Sequence, residues 1–216
     1  MKVIAVNGSP RKNWNTATLL QKALDGAAAQ QAETEIFHLY ELNFKGCVSC
    51  FACKTKNGQS YGRCAVKDDL TAILKKVENV DVIILGAPIY YGSVTGEMKS
   101  FMERLLFPYS TYTDPPGTLY SRKIRTALIY TLNAPEEAIQ ERGYDKYFQA
   151  NEMTMKRVFG FSETLCSFDT YQFEDYAKYV APRFDPLKKA KRRAEVFPRD
   201  CEQALALGAR LVRELA

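Results

Sequence analysis

Four cysteines fall within eighteen residues. Cys47, Cys50 and Cys53 follow a C-x2-C-x2-C spacing, and Cys64 comes after ten intervening residues. Three thiolates at i, i+3 and i+6 of a loop can converge on one inorganic cluster, with a fourth ligand from further along. Four thiolates suit zinc equally well, and the same residues can also be packed or redox-active thiols. A second stretch, Gly8-Ser9-Pro10-Arg11-Lys12-Asn13-Trp14-Asn15-Thr16, runs from an apolar strand into a helix. Its hydroxyl, amide and guanidinium groups, with a helix N-terminus behind them, suit a phosphate cradle on Ser9, Arg11, Asn15 and Thr16, the plainer reading being a polar surface turn with an N-cap. It is neither G-x-x-x-x-G-K-[ST] nor G-x-G-x-x-G, which excludes the standard nucleotide fingerprints. A third stretch, Gly86 to Gly96, contains Pro88-Ile89-Tyr90-Tyr91-Gly92-Ser93. Two tyrosines offer aromatic surface and Gly92 permits a sharp turn that exposes main-chain N–H groups, so a planar heterocycle can pack there.

These loops need a frame. Val3–Val6, Val80–Leu85 and Thr126–Tyr130 are short apolar runs without alternation, as expected of strands covered on both faces. Further strands are expected at Thr34–Tyr40 and Gly160–Phe168. Helical patterns fall between them at Thr16–Gln31, Leu70–Val77, Glu97–Leu106 and Asp200–Leu215, with Asp68 and Asp200 as N-caps. Strand and helix alternate, which implies an α/β fold: a three-layer, doubly wound, five-stranded parallel sheet. Both polar loops leave the carboxyl ends of its strands, where such sheets bind ligands. Two segments exceed a minimal plan. One is a cysteine loop over 43–67. The other is an aromatic, charged extension over 133–199, expected as two or three helices forming a lid or subunit contact.

Composition narrows the functions. The 216 residues hold 46% hydrophobic and 25% charged residues, as in a globular chain, and are read as a single domain over 1–216. One histidine, His38, leaves little material for a Ser-His-Asp hydrolase or a histidine metal site. Thirty basic against 25 acidic residues give +5, which suits an anionic ligand and is too weak to argue for nucleic acid. No apolar run approaches the ~18 residues of a membrane helix, and the opening Met1-Lys2 leads into a strand and not a signal peptide. A cytoplasmic, reducing location is expected, where clustered cysteines are ligands or redox groups more often than disulfides.

Gly8-Ser9-Pro10-Arg11 with Asn15-Thr16, then Pro88 to Ser93, then Lys99-Ser100-Phe101-Met102-Glu103-Arg104, resemble the NADPH-dependent FMN reductase superfamily over roughly residues 1–131 and the last helix. The resemblance implies the flavodoxin-like strand order 2-1-3-4-5. It implies FMN, with its phosphate on Ser9, Arg11, Asn15 and Thr16 and its ring on Pro88, Ile89, Tyr90, Tyr91, Gly92 and Ser93. Thr131-Leu132-Asn133 would close the far side. The cysteine run resembles the iron–sulfur flavoprotein branch, which implies a [4Fe–4S] centre on Cys47, Cys50, Cys53 and Cys64, although the gap before Cys64 is longer than is usual there. The implied activity is an oxidoreductase. It would take electrons from NAD(P)H or a ferredoxin-like carrier and pass them to a quinone or other small acceptor, as a homodimer or homotetramer, without a membrane or nucleic-acid partner.

Two other readings compete. A flavodoxin-type carrier is usually strongly acidic, which the net charge opposes, and a redox sensor would bind metal without flavin. Cys166 and Cys201 read as buried structural thiols, and His38 as a satisfied strand histidine. The run Lys188-Lys189-Ala190-Lys191-Arg192-Arg193 reads as a solvated helix face, with attraction for nucleotide phosphates or an acidic partner as the sharper alternative. The aromatics between Tyr144 and Phe184 read as core or subunit interface.

Overall fold

The computed structural model describes residues 1–214. Strand β1 (Lys2–Asn7) leads through the polar loop into α1 (Asn15–Ala28). Strand β2 (Glu33–His38) precedes the cysteine loop and α2 (Leu70–Val77). Strand β3 (Val82–Tyr90) turns into the two-residue β4 (Ser93–Val94) and α3 (Gly96–Leu106). Strand β5 (Ile124–Thr131) is followed by α4 (Ala138–Glu141), α5 (Tyr144–Phe159) and β6 (Gly160–Ser167). Helices α6 (Pro186–Glu195) and α7 (Phe197–Arg213) end the described chain. The main path of the sheet is β2-β1-β3-β5-β6, all parallel, with β4 hairpinned onto β3. Leaving the hairpin aside, this is the expected order 2-1-3-4-5.

The apolar runs split their residues between two cores. Val3, Ala5, Val82, Ile84, Ala127 and Ile129 face α1 and α7. Ile4, Val6, Ile83, Leu85, Leu128 and Tyr130 face α3 and α5. Helices on both sides explain why neither strand face needed polar residues. The α1–α7 pair comes to backbone contact at two glycines. A Cβ on Gly26 would lie 1.9 Å from the Leu205 carbonyl oxygen, and one on Gly208 would lie 1.7 Å from that of Ala23.

Several expectations change in detail. Helix α7 begins at Phe197, so Asp200 lies in its first turn and bonds Ser167 and Arg192 instead of capping; the last residue of the expected span, Leu215, lies outside the described residues. The N-cap of α2 is Asp69, without a side-chain cap, and Asp68, one residue earlier, accepts from the Leu70 N–H through Oδ1 at 3.1 Å. The 133–199 extension contains three helices, yet α5 is the ordinary crossover between β5 and β6 and packs under the sheet. No helix among the described residues is long and apolar enough to cross a membrane.

Candidate functional site

The carboxyl ends of β1, β3 and β5 lie side by side, with Asn7 opposite Gly86 and Pro88 opposite Thr131. Gly8 is held at both ends of its peptide unit. Its N–H donates to the Gly86 carbonyl at 2.8 Å, and its carbonyl accepts from Thr95 Oγ1 at 2.6 Å. A Cβ there would lie 2.7 Å from Met98 Cβ, so only glycine lets the loop settle onto α3. Beyond it, the Asn7 amide spans three elements: Oδ1 accepts from the Ser9 N–H, and Nδ2 donates to His38 Nδ1 at 3.0 Å. This satisfies His38 as a strand histidine. Burial, aided by the Lys12 charge, lowers its pKa below the ordinary 6.5.

A cleft of about 150 Å³ collects Ser9, Arg11, Asn15, Thr16, Pro88, Ile89, Tyr90, Thr131 and Asn133. The cradle residues and the first half of the ring loop therefore meet as expected. The N-cap of α1, Trp14, makes no side-chain cap, so the first-turn N–H groups point outward with the positive end of the helix dipole. Ser9 Oγ accepts from the Arg11 N–H at 3.2 Å and keeps its proton free to donate. Thr16 and Thr131 share one hydrogen bond between two hydroxyls at 2.8 Å, leaving one hydroxyl proton over.

A strap over residues 169–172 covers this cradle. The Tyr171 carbonyl accepts from Trp14 Nε1 at 3.1 Å and Asn15 Nδ2 at 2.8 Å, and the Gln172 carbonyl accepts from Arg11 Nη1 at 2.6 Å. Asn15 Oδ1 is taken by Arg193 Nη1 at 2.8 Å. The Asn15 side chain thus serves the strap, and its main-chain N–H remains for a ligand. Buried Lys189 anchors the strap from behind, bonding Asn133, Asp169 and the Thr170 carbonyl. Sequence reasoning missed Trp14, Thr170, Tyr171, Gln172 and Lys189 as parts of this site. It also missed Tyr40, which stands beside Tyr90 and Glu97; burial first, then Glu97, pushes its hydroxyl up to about 12.

Tyr91 and Gly92 form the tip of the β3–β4 hairpin, with φ of +50° and +84° between the paired Tyr90 and Ser93. Positive φ at both central residues is the type I′ pattern. Gly92 accepts it freely, whereas a tyrosine there is strained. Tyr91 is fully exposed. Ser93 is engaged elsewhere: its Oγ lies 3.0 Å from Tyr147 Oη, which also accepts from the Val94 N–H at 3.1 Å.

The cysteine loop has little regular structure. Two cations fix it to the end of α3. Arg104, 1% exposed, bonds Cys64 Sγ at 3.3 Å, the Lys45 and Val66 carbonyls, and Asp68. Lys54 donates to the carbonyls of Phe107, Pro108 and Ser110. Cys47 and Cys50 are exposed, Cys53 is buried and Cys64 half-buried. Burial raises the Cys53 thiol, with Lys54 opposing and Cys47 and Cys50 adding to the rise. No three metal-ligating side chains converge among the described residues. As arranged, the four thiols do not converge on one point, and Cys64 is held by Arg104. Ser49 and Phe51, which flank Cys50, both sit in the left-handed region at φ of +53° and +55°.

The basic run is solvated only in part, at the exposed Lys188 and Lys191. Lys189 is buried in the strap, Arg192 pairs with Asp200, and Arg193 bonds Asn15 while lying 4.1 Å from the Phe197 ring centroid. Lys191 pairs with Glu195, and Lys188 lines a cleft beside Tyr91. Cys166 and Cys201 are half-buried and not fully buried, and burial raises both thiols, Cys166 to about 12.

The sequence profile of the NADPH-dependent FMN reductase family matches residues 1–130, more than half of the chain. An iron–sulfur flavoprotein of Methanocaldococcus jannaschii is 40% identical over 104 residues, which is 48% of this chain and 51% of that one. One of Archaeoglobus fulgidus is 38% identical over 104 residues, 48% of each. The chain therefore spans about half the length of these relatives. Among solved structures, an NAD(P)H:quinone oxidoreductase from Methanothermobacter marburgensis superposes with a TM-score of 0.70 at 14% identity, covering 97% of this chain and 98% of that one. An FMN-dependent NADH-azoreductase from Bacillus anthracis, solved with FMN, gives 0.64 at 13% identity, covering 98% and 100%. At such identities the likeness speaks for the flavodoxin-like fold alone. The family profile, laid over the strand ends that carry the cradle and the hairpin, shows that this chain belongs to the NADPH-dependent FMN reductase family.

Proposed function

We infer that the protein is an FMN-dependent oxidoreductase that draws electrons from NAD(P)H and delivers them to a quinone or other small acceptor. The observation that carries this reading is the uncapped N-terminus of α1, which faces Ser9 and Arg11 in a cleft also lined by Pro88, Ile89 and Tyr90, the strand end that leads into the hairpin. The phosphate of FMN would be held by the first-turn N–H groups of Asn15 and Thr16, the hydroxyls of Ser9 and Thr16, and the N–H groups of Arg11 that Gln172 leaves unused. The ring would lie along Pro88, Ile89, Tyr90, Tyr91 and Gly92, with Ser93 kept in place by Tyr147. Bound FMN supplies hydride acceptance and onward electron transfer. The chain's own residues supply orientation and charge compensation: Arg11 and the helix dipole offset the phosphate, and the strap over 169–172 shields that end from water.

The cysteine loop is proposed as a cluster-binding segment on two grounds. The relatives of matching sequence bear the name iron–sulfur flavoprotein, and strained backbone at Ser49 and Phe51 lies between the first three cysteines. Taking up a cluster requires Arg104 to release Cys64 and the exposed Cys47 and Cys50 to turn inward.

Acid-released flavin, iron and sulfide from anaerobically purified protein, followed by steady-state NAD(P)H oxidation with an uncharged quinone, test both readings. Stoichiometric FMN and turnover are expected. Cys50→Ser should remove iron and leave the flavin. Absence of FMN, with none taken up on addition, overturns the first reading. Flavin without iron overturns the second, and FMN reducible only through a partner protein would make the molecule a carrier.

A further inference from the structure

Next to the hairpin lies a second, larger cleft of about 840 Å³, bordered by Ile89 and Tyr91 on the ring side and by α4 and the start of α6 on the other. Its lining includes Arg142, Arg183, Lys188 and Lys189 against Asp169 and Asp185. Both acids are committed. Asp169 pairs with Lys189, and Asp185 caps α6 by accepting from the N–H groups of Leu187 and Lys188 at 2.9 and 3.2 Å. Arg142, Arg183 and Lys188 enter no ion pair among the described residues. Four cations against two carboxylates therefore leave two positive charges in excess on one concave surface, with Arg142, Arg183 and Lys188 unpaired beside three aromatic side chains, Tyr91, Tyr144 and Phe184. Concave walls concentrate such a field on whatever enters. Two of the cations are guanidinium groups, whose planar forks fit sulfonate, carboxylate or phosphate oxygens in pairs.

We propose that this cleft binds a flat aromatic acceptor carrying anionic groups, seated between Tyr91 and Phe184 with its anions on Arg142, Arg183 and Lys188. The inference rests on the placement of the flavin ring along the 88–93 hairpin and deepens it by naming the acceptor's chemical class. Reduction of an anionic quinone there takes two electrons and two protons. A reduced nicotinamide gives up hydride, solvent gives the second proton, and the products are the hydroquinone and the oxidised nicotinamide. The contribution of the protein is selection: an uncharged quinone has nothing to offer the three cations.

The test uses FMN-loaded protein and two probes, anthraquinone-2,6-disulfonate and uncharged 2-methyl-1,4-naphthoquinone. Calorimetric titration gives the dissociation constant of the disulfonate without requiring turnover. In the Arg142→Gln/Arg183→Gln/Lys188→Gln variant that constant is expected to rise about tenfold or more, which is the loss of roughly one charge-assisted hydrogen bond. Wild-type affinity should also fall with added salt. In steady state the ratio of KM for the disulfonate to KM for the uncharged quinone should rise by a similar factor. Unchanged disulfonate affinity overturns the proposal, as does an equal loss for both quinones. A KM increase confined to NADPH, with NADH and the disulfonate unaffected, also overturns it and gives the cleft to the nucleotide's extra phosphate. If the protein binds no FMN, the flavin reading falls on that observation, and the disulfonate titration still decides this one.

Discussion

The two loops proposed to carry the chemistry are held in opposite ways. The cradle over residues 8–16 is fixed by main chain and short side chains at the ends of three central strands: Gly8 on Gly86, Ser9 on Asn7, Thr16 against Thr131. The cysteine loop over 43–67 has no sheet to lean on. It is held through side chains: Arg104 and Lys54 reach between it and the end of α3, Glu103 accepts from the Cys47 N–H, and Arg63 pairs with Glu78. A site built on strand ends is as rigid as the sheet, whereas one tethered by side chains can reorganise when a tether is released. That difference separates the part of the molecule where the proposed phosphate cradle is fixed by the sheet from the part where four thiols have not converged.

The comparison breaks most sharply at Arg104. Burial opposes its charge, but Asp68 and Cys64 outweigh that and raise its pKa. Arg104→Met should therefore leave Asp68 Oδ2 and the Lys45 and Val66 carbonyls without their partner and cost about 3–5 kcal/mol in urea unfolding, with FMN affinity of the folded protein retained. Arg11→Ala is the reverse case. It should weaken FMN binding by about 1.5–3 kcal/mol in a fluorescence titration, while the flavin-free protein loses only the exposed hydrogen bond to the Gln172 carbonyl, about 0.5–1.5 kcal/mol of unfolding free energy. If either substitution produced the other's phenotype, the two loops would not be independent.

Thiol reactivity sharpens the contrast within the cysteine loop. Exposed Cys47 and Cys50 should alkylate first in the flavin-loaded, metal-free protein, with buried Cys53 and the raised thiol of Cys166 slow, as mass mapping of iodoacetamide adducts would show. The smallest effect concerns pH. His38 has a depressed pKa in the fold, so it favours folding above its unfolded value of 6.5, and that contribution is lost as pH falls through 6.5 towards the folded value. The decline of stability below that pH should be shallower in His38→Gln.

Much of the frame is legible in the sequence because a parallel strand covered on both faces must be apolar throughout. Val3–Val6 and Thr126–Tyr130 announce themselves for that reason, and the Gly-Ser-Pro-Arg loop is readable because it follows the first of them. Helix α2 matches its expected span because Asp68 marks its start. The two-residue β4 leaves no pattern to read. The strap is hidden for a different reason. Nothing local to Tyr171 and Gln172 says that their carbonyls will meet Arg11, Trp14 and Asn15, which lie 156 to 161 residues away. Nor does a lysine in a run of cations show that it alone will be buried against Asp169. Charge runs are read as solvated because most are, and here long-range pairing with Asp169, Asp200 and Asn15 overrides that expectation.

The central claim is that the loop after β1 holds the phosphate of FMN. Comparing the dissociation constants of FMN and riboflavin for the same flavin-free protein tests it directly, because the two ligands differ only in that phosphate. FMN is expected to bind about a hundredfold more tightly or better, as two or more charge-assisted hydrogen bonds would produce, and Arg11→Ala to narrow the gap. Equal affinity for the two flavins would contradict the claim.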